Sequence, residues 1–419
     1  MAAPIRIGIV GCGRILPAHL RGYRLLREAG YDDFRITALV ARKRDDAVMF
    51  RKRGEGPTPR PPVSRDESGD ALAAPHCYVS DFQSELLPDV YTDVAEMLSS
   101  GNVDAVDLTA SLPVHHSIGL ACLAAGKHLM VEKPIAITVK AGAQLVEAAE
   151  AAGLTLSVME NARFREAARL GHWAIERGEL GNVQMVAAIS LGTGEWSPDR
   201  VVADTPWRHN MLEAGGGASV DIGVHLAHQL RYLAGEIRSM TAIARVFEPV
   251  RELRDADGNV FGQFPADADD AFFALPEFEN GAAGTISFTW AGHGEPTGLP
   301  EGAVIYGERG CLKGTMLIRD GGERIDLRER FNAEAGPATR DALFPHGLTD
   351  TFALAYRDWI DAIAAGRQSE MNGREGLHDL ATAFAIMESA TTRTSIAVAD
   401  VLSGKVDSYQ RAINAHYGL

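Results

Sequence analysis

Three glycines in the pattern Gly8-x-x-Gly11-x-Gly13 close a β-branched apolar run, Ile5–Val10, and a stretch with helical patterning, Leu16–Glu28, follows at once. Glycine lets a backbone turn sharply and approach another group closely, and the start of a helix presents N–H groups to an anion. The chemistry this spacing suits is the binding of a dinucleotide pyrophosphate, with Gly8, Gly11, Cys12, Gly13, Arg14 and Ile15 as its cradle. A tight turn without a ligand needs the same residues, so the motif gains weight only from its place in a strand–turn–helix unit. The small residue that usually completes G-x-G-x-x-G would fall at position 16, where Leu16 stands. At the end of the next strand, Ala41-Arg42-Lys43-Arg44 occupies the place of the acid that would accept bonds from the ribose hydroxyls of NAD. Ala41 and Arg42 therefore point to a 2′-phosphate and to NADP, with NAD as the alternative.

The elements that must position this turn alternate regularly. Strands are expected at Ile36–Ala41, Val103–Thr109, His128–Glu132 and Leu154–Val158, with helices at Val114–Ala125 and Val139–Ala152 between them. Such alternation implies a doubly wound parallel sheet, a Rossmann domain over residues 1–160. Residues 54–76, dense in Pro, Gly, Ser and charge, are expected to be an insertion loop at a mobile surface. Beyond residue 161 the pattern changes to strands at 183–191, 237–248, 270–276, 282–290, 302–306 and 311–318. One helix, Gly217–Leu233, interrupts them and two follow at 349–365 and 373–393. The chain is thus expected to be α/β, with an α+β domain over 161–419 built on a large open, mostly antiparallel sheet, its C-terminal helices packing back toward the first domain.

The 419-residue length suits two such domains, and a formal net charge of −15 argues against binding nucleic acid or an anionic membrane. It also makes the basic run at Arg42 more informative. Cys12, Cys77, Cys122 and Cys311 form no C-x-x-C pair and have no His at metal-ligand spacing, so no metal is expected and reduced, cytoplasmic thiols are. The N-terminal run lacks the pattern of a signal peptide, and no apolar stretch approaches a membrane span.

Two further segments carry a resemblance. His128-Leu-Met-Val-Glu132-Lys133-Pro134 closes a parallel strand, and Gly215-Gly-Gly-Ala-Ser-Val-Asp221-Ile-Gly-Val-His225 opens the helix of the second domain. With the glycine turn, Glu160-Asn161-Ala-Arg163-Phe164, Pro206-Trp207-Arg208 and Gly373-Arg-Glu375-Gly376-Leu377, they resemble the Gfo/Idh/MocA oxidoreductases over nearly the whole chain. The resemblance implies a homo-oligomer, dimer or tetramer, associating through the open sheet. It also implies a nicotinamide-dependent reaction on a sugar or polyol, with Lys133, Asp221 and His225 as the catalytic positions. His228 stands where the family often has an acid.

The trio makes physical sense for oxidation of a secondary alcohol, which needs a base for the hydroxyl proton and a cation for the developing alkoxide. Lys133 lies at the carboxyl end of a strand, where such sheets bind ligands, and Pro134 biases it toward extended backbone. His225 can accept the proton, and Asp221, four residues earlier, can orient the imidazole or bind a substrate hydroxyl. A metal site of Asp221, His225 and His228 is the weaker reading, since no further ligand cluster is evident. Thr109, His116 and Glu132 are expected at the cofactor, although Thr109 and His116 could equally cap a helix. Asn161 and Arg163, next to Glu160, are expected at the substrate, as are Trp207 and Arg208, which offer a stacking face and a cation. Two other functions use the same residues: transient sugar oxidation that permits elimination or glycoside cleavage, and nucleotide sensing without catalysis.

Overall fold

The computed structural model describes residues 3–64, 70–192, 199–255 and 257–419. They form two compact units, Met1–Ile137 with Ala141–Asn161 and Leu348–Gly376, and Thr138–Lys140 with Ala162–Gly347 and Leu377–Leu419. The C-terminal helices thus divide between the units instead of staying with the second.

In the first unit, strands β1 (Ile5–Val10), β2 (Phe34–Val40), β3 (Asp89–Tyr91), β4 (Ala105–Leu108), β5 (His128–Glu132) and β6 (Leu156–Met159) form one parallel sheet in the order β3-β2-β1-β4-β5-β6. Its central strands read as near-continuous apolar runs because both faces are covered; Ile7, Ile9, Val106, Leu129 and Val131 are fully buried. The helices are α1 (Leu16–Glu28), α2 (Arg44–Arg51), α3 (Val94–Ser99), α4 (His115–Ala124) and α5 (Val139–Ala152). Helix α1 opens with Pro17 in its first turn, where the missing N–H costs nothing, and Leu16 is fully buried beneath it. A large side chain is therefore accommodated at the position where the dinucleotide fingerprint prefers a small one. Strand order reverses between β1 and β4, the crevice where doubly wound sheets bind ligands.

The second unit starts with α6 (Glu166–Glu176) and is built on a nine-stranded sheet. Its strands are β7 (Val183–Leu191), β8 (Ile237–Arg245), β11 (Ala271–Phe278), β12 (Ala283–Thr289), β13 (Thr297–Gly307), β14 (Gly310–Lys313), β15 (Met316–Arg319), β16 (Arg324–Asp326) and β17 (Ile396–Ala397), while β9 (Val250–Arg254) and β10 (Val260–Pro265) form a separate hairpin. The order is β16-β15-β14-β13-β7-β12-β11-β8-β17, antiparallel except for β7 with β12. Burial alternates strictly along the middle of β11, the mark of a sheet with one covered face.

Two expected elements resolve differently. The strand expected at 311–318 is the hairpin β14–β15, because Gly314 takes a positive φ of 58° and turns the chain. The helix expected over 217–233 is two helices, α8 (Ala218–Asp221) and α9 (Gly223–Ala234), preceded by the single turn α7 (Met211–Ala214). Helices α10 (Leu327–Glu334), α11 (Pro337–Leu343), α12 (Thr351–Ala365), α13 (Gly373–Thr392), α14 (Val398–Leu402) and α15 (Arg411–Tyr417) complete the chain. No helix among the described residues is long and apolar enough to cross a membrane.

Candidate active site

The glycine turn sits at the β1/β4 switch point, and its glycines answer to different demands. Gly11 has φ +112°, and a Cβ there would lie 2.5 Å from the backbone nitrogen of Ala110, so both conformation and the closeness of the β4 exit require glycine. Gly13 is the opposite case. A Cβ on it would meet nothing within 4 Å, so the protein itself does not need the space that glycine leaves, and a ligand can approach the backbone there. Gly8 is a packing glycine, since a Cβ would lie 2.6 Å from Met97 Sδ. Cys12 is buried, and burial pushes its thiol up to about 12, which makes it an inert part of the turn.

Thr109 does not face outward. Its hydroxyl donates to the Gly11 carbonyl and its N–H donates to the Val10 carbonyl at 2.9 Å, tying the end of β4 to the turn. His116, at the start of α4, meets Gln144 Oε1 through Nε2 at 2.6 Å. The neighbouring His115 is buried between the carbonyls of Pro134 and Ala110, each 3.0 Å away, and burial holds it below the usual imidazole range.

Part of the inserted segment also lies on the turn. Arg60 donates to the Cys12 carbonyl at 3.3 Å and pairs with Asp46, and Arg14 donates to the Pro61 carbonyl at 3.4 Å. The segment 54–64 is thus anchored where its composition suggested a mobile surface; residues 65–69 lie outside the described residues. Beyond Ala41, Arg42 is exposed and makes no hydrogen bond or ion pair among the described residues. Arg44 instead donates to the Val90 carbonyl at 3.1 Å.

Lys133 follows β5 directly, and its bond to Pro134 is cis. Its backbone N–H donates to Glu132 Oε2 at 3.0 Å, while Glu132 Oε1 meets His19 Nε2 at 2.7 Å. His19 escaped sequence reasoning although a signal existed: it lies with Leu16, Leu20 and Tyr23 on the buried stripe of α1, one polar residue on an apolar face. Asn161 opens the short turn Asn161–Phe164 beyond β6, and the neighbouring Glu160 is buried.

In the second unit, Asp221 ends α8 and His225 lies in the first turn of α9, with the joint at Ile222 between them. Asp221 Oδ2 accepts from Arg208 Nε at 3.0 Å, and the Arg208 guanidinium lies 4.5 Å from the Trp207 ring centre. The structure therefore joins Arg208, Trp207 and Asp221 into one group. His228 is buried, with Nδ1 2.8 Å from Asp379 Oδ2; the acid at this point comes from α13 instead of from the helix itself. Arg163 stacks at 4.6 Å on Tyr232 and reaches to 3.5 Å from His228 Nε2. Asp269 also escaped the sequence reading, and it holds the start of α8: Gly217 N–H, Ser219 N–H and Ser219 Oγ all donate to its carboxylate at 2.7–2.8 Å.

Comparison with known proteins places these features. Residues 66–160 match the oxidoreductase family described as NAD-binding Rossmann fold, and residues 172–313 match the GFO/IDH/MocA C-terminal domain. The chain is 27% identical over 332 residues to levoglucosan dehydrogenase of Pseudarthrobacter phenanthrenivorans, covering 74% of this chain and 84% of that protein. It is 22% identical over 404 residues to myo-inositol 2-dehydrogenase of Thermotoga maritima, covering 95% of this chain and 100% of the other. A solved structure of levoglucosan dehydrogenase, in complex with NADH and levoglucosan, shares the fold with a TM-score of 0.70 at 22% identity, over 94% of this chain and 99% of that one.

Proposed function

The chain belongs to the Gfo/Idh/MocA oxidoreductase family, and from that premise we propose that it transfers a hydride between NADP(H) and a secondary alcohol or ketone of a sugar, polyol or sugar derivative. The observation that carries this reading is the glycine turn at the β1/β4 switch point, where Gly13 leaves space that no protein atom fills. Gly11, Cys12, Gly13, Arg14 and Ile15 would hold the pyrophosphate, with Thr109 fixing the turn. His116, Glu132 and Lys133 would serve the rest of the cofactor. The nicotinamide, when bound, supplies the hydride acceptor or donor. Lys133 donates a hydrogen bond to the reacting oxygen and stabilises the alkoxide as it forms, and His225 takes the hydroxyl proton. Asp221, Arg208, Trp207, Asn161 and Arg163 bind and orient the sugar. Titration of the purified protein with NADPH and NADH, followed by a panel of anhydrosugars, inositols and other polyols, tests this reading; no oxidation or reduction of any member would end it.

The preference for NADP rests on Ala41 bringing no acid and Arg42 being exposed without a partner among the described residues. Arg42→Ala is expected to weaken NADPH binding by about 10- to 100-fold and NADH binding by less than about 3-fold, since only the former presents a 2′-phosphate to the guanidinium. Fluorescence titration measures both constants, and equal losses would point to NAD. The cysteines are all unbridged, which supports a reducing, cytoplasmic setting.

Association through the open sheet is supported by its uncovered face. Met185, Ile243 and Leu275 are 54%, 54% and 55% exposed, and the register sets Ile243 beside Phe273 and Met185 beside Tyr306 on the same side. These exposed apolar residues lie in two groups on one face of the sheet, separated by Thr285 and Ser287 of β12, and a face of this kind suits a second copy of the chain. Ile243→Glu combined with Leu275→Glu is expected to convert the assembly to monomer in light scattering; a wild-type chain that is already monomeric would remove the proposal.

A further inference from the structure

The first unit holds a chain of ionisable groups, most of them fully buried, of which the reading above uses only Glu132. Asp107, on β4, is fully buried, and its Oδ2 accepts from Tyr356 Oη at 2.5 Å and from Tyr23 Oη at 3.2 Å. Tyr356 Oη also meets His19 Nδ1, which lies 3.6 Å from Asp107 Oδ2. His19 Nε2 then meets Glu132, whose other oxygen accepts the backbone N–H of Lys133. The path runs through β4, α12, α1 and β5, four elements of one unit.

Burial alone would keep His19 neutral, but Asp107 and Glu132 outweigh it and raise the imidazole to about 9. Glu132 is held low in turn, its burial outweighed by the bond to His19. The groups facing His19 are these two acids, the hydroxyl of Tyr356, and the edge of Phe352 at 5.0 Å; Tyr23 stacks on Tyr356 at 3.8 Å behind them. Two carboxylates and an imidazolium, with His19 and Asp107 fully buried and Glu132 at the edge of the core, are a poor way to gain stability, since apolar residues of the same volume commonly serve as well or better. What the arrangement does provide is a fixed carboxylate under one backbone N–H. The Pro134 carbonyl on the other side of Lys133 is fixed too, by His115.

Resting on the role given above to Lys133, we infer that His19 is a positioning residue: clamped between Asp107 and Glu132, it fixes the carboxylate that holds the Lys133 backbone, from which the ammonium projects. Because His19 carries its charge below its raised pKa and loses it above, the clamp is intact at neutral pH and loosens as pH rises through about 9.

The test uses the full chain with His19→Gln, which cannot carry the charge, and Tyr356→Phe, which removes one hydroxyl while keeping the ring on Tyr23. Acetylation by acetic anhydride, followed residue by residue by mass spectrometry from pH 7 to 10, reads Lys133 directly, with the exposed Lys405 as internal control. The expected result is a change of about 3-fold or more in Lys133 reactivity, or a shifted pH midpoint, at constant Lys405 reactivity. For an alcohol that the wild type turns over, kcat is expected to fall about 10-fold or more, with nucleotide affinity nearly constant and the alkaline limb moved. Labelling decides the positioning role even if no alcohol is turned over, so failure of the functional reading and failure of the clamp are distinguishable. Folded variants with unchanged Lys133 labelling and an unchanged pH profile would overturn the inference; if His19→Gln does not fold, Tyr356→Phe carries the same decision.

Discussion

Lys133→Met is expected to lower kcat by about 10³-fold or more while NADPH still binds. Methionine matches the length and apolar stem of lysine but brings no charge and no donor. In the role proposed for Lys133, the loss isolates the stabilisation of negative charge on the reacting oxygen, in general among the largest single contributions to catalysis. His225→Ala removes the proposed proton acceptor instead, and a general base is worth about 10²- to 10⁴-fold. If both act on one hydroxyl, their effects are not additive: the double variant should be little slower than Lys133→Met alone. Steady-state rates with the best alcohol of the panel, set beside nucleotide titrations of the same preparations, supply both numbers. Turnover within about 10-fold of wild type in both single variants would remove the pair from the mechanism.

Much of this frame was legible in the residues. The limits of β5 and α5 follow from hydrophobic periodicity, and β1 ends at Gly11 because glycine takes a φ of +112° without strain. The break between α8 and α9 was not legible, because Asp221 through His225 contains no proline and its pattern remains helical. Gly8 and Gly13 look alike in the sequence, yet one is excluded from bearing a side chain by Met97 and the other faces open space. The partners Asp379 for His228 and Tyr356 for His19 lie 151 and 337 residues away, and nothing local encodes such pairings. Arg60 was hidden by composition: a segment rich in proline and charge reads as loose surface, but two arginine contacts to backbone carbonyls tie it to the turn. Sequence patterning reports which face is buried; it does not report which buried polar groups meet.

Asp269→Ala is expected to cost about 3–5 kcal/mol and to lower the melting temperature by about 10 °C. Helix α8 begins without a side-chain cap of its own, and Gly217 and Ser219 send their N–H groups to the Asp269 carboxylate instead. Ser219 adds its hydroxyl at 2.8 Å, and the Ala218 N–H donates to the Asp269 backbone carbonyl at 2.7 Å. Alanine keeps the last bond and orphans the other three donors, each at about 1–3 kcal/mol when buried, less whatever a water filling the vacated space restores. Asparagine is not an equivalent acceptor at this position, because its amide nitrogen would face an N–H, so Asp269→Asn should recover only about half of the loss. The same junction predicts a severe effect for Gly217→Ala, whose Cβ would lie 1.7 Å from the Asp269 carbonyl oxygen. Asp221 and His225 follow within eight residues of this glycine, so both variants should lose turnover as well as stability. Denaturant titration and calorimetry measure the first effect; a loss below about 1 kcal/mol in Asp269→Ala would mean that the carboxylate does not organise the start of α8.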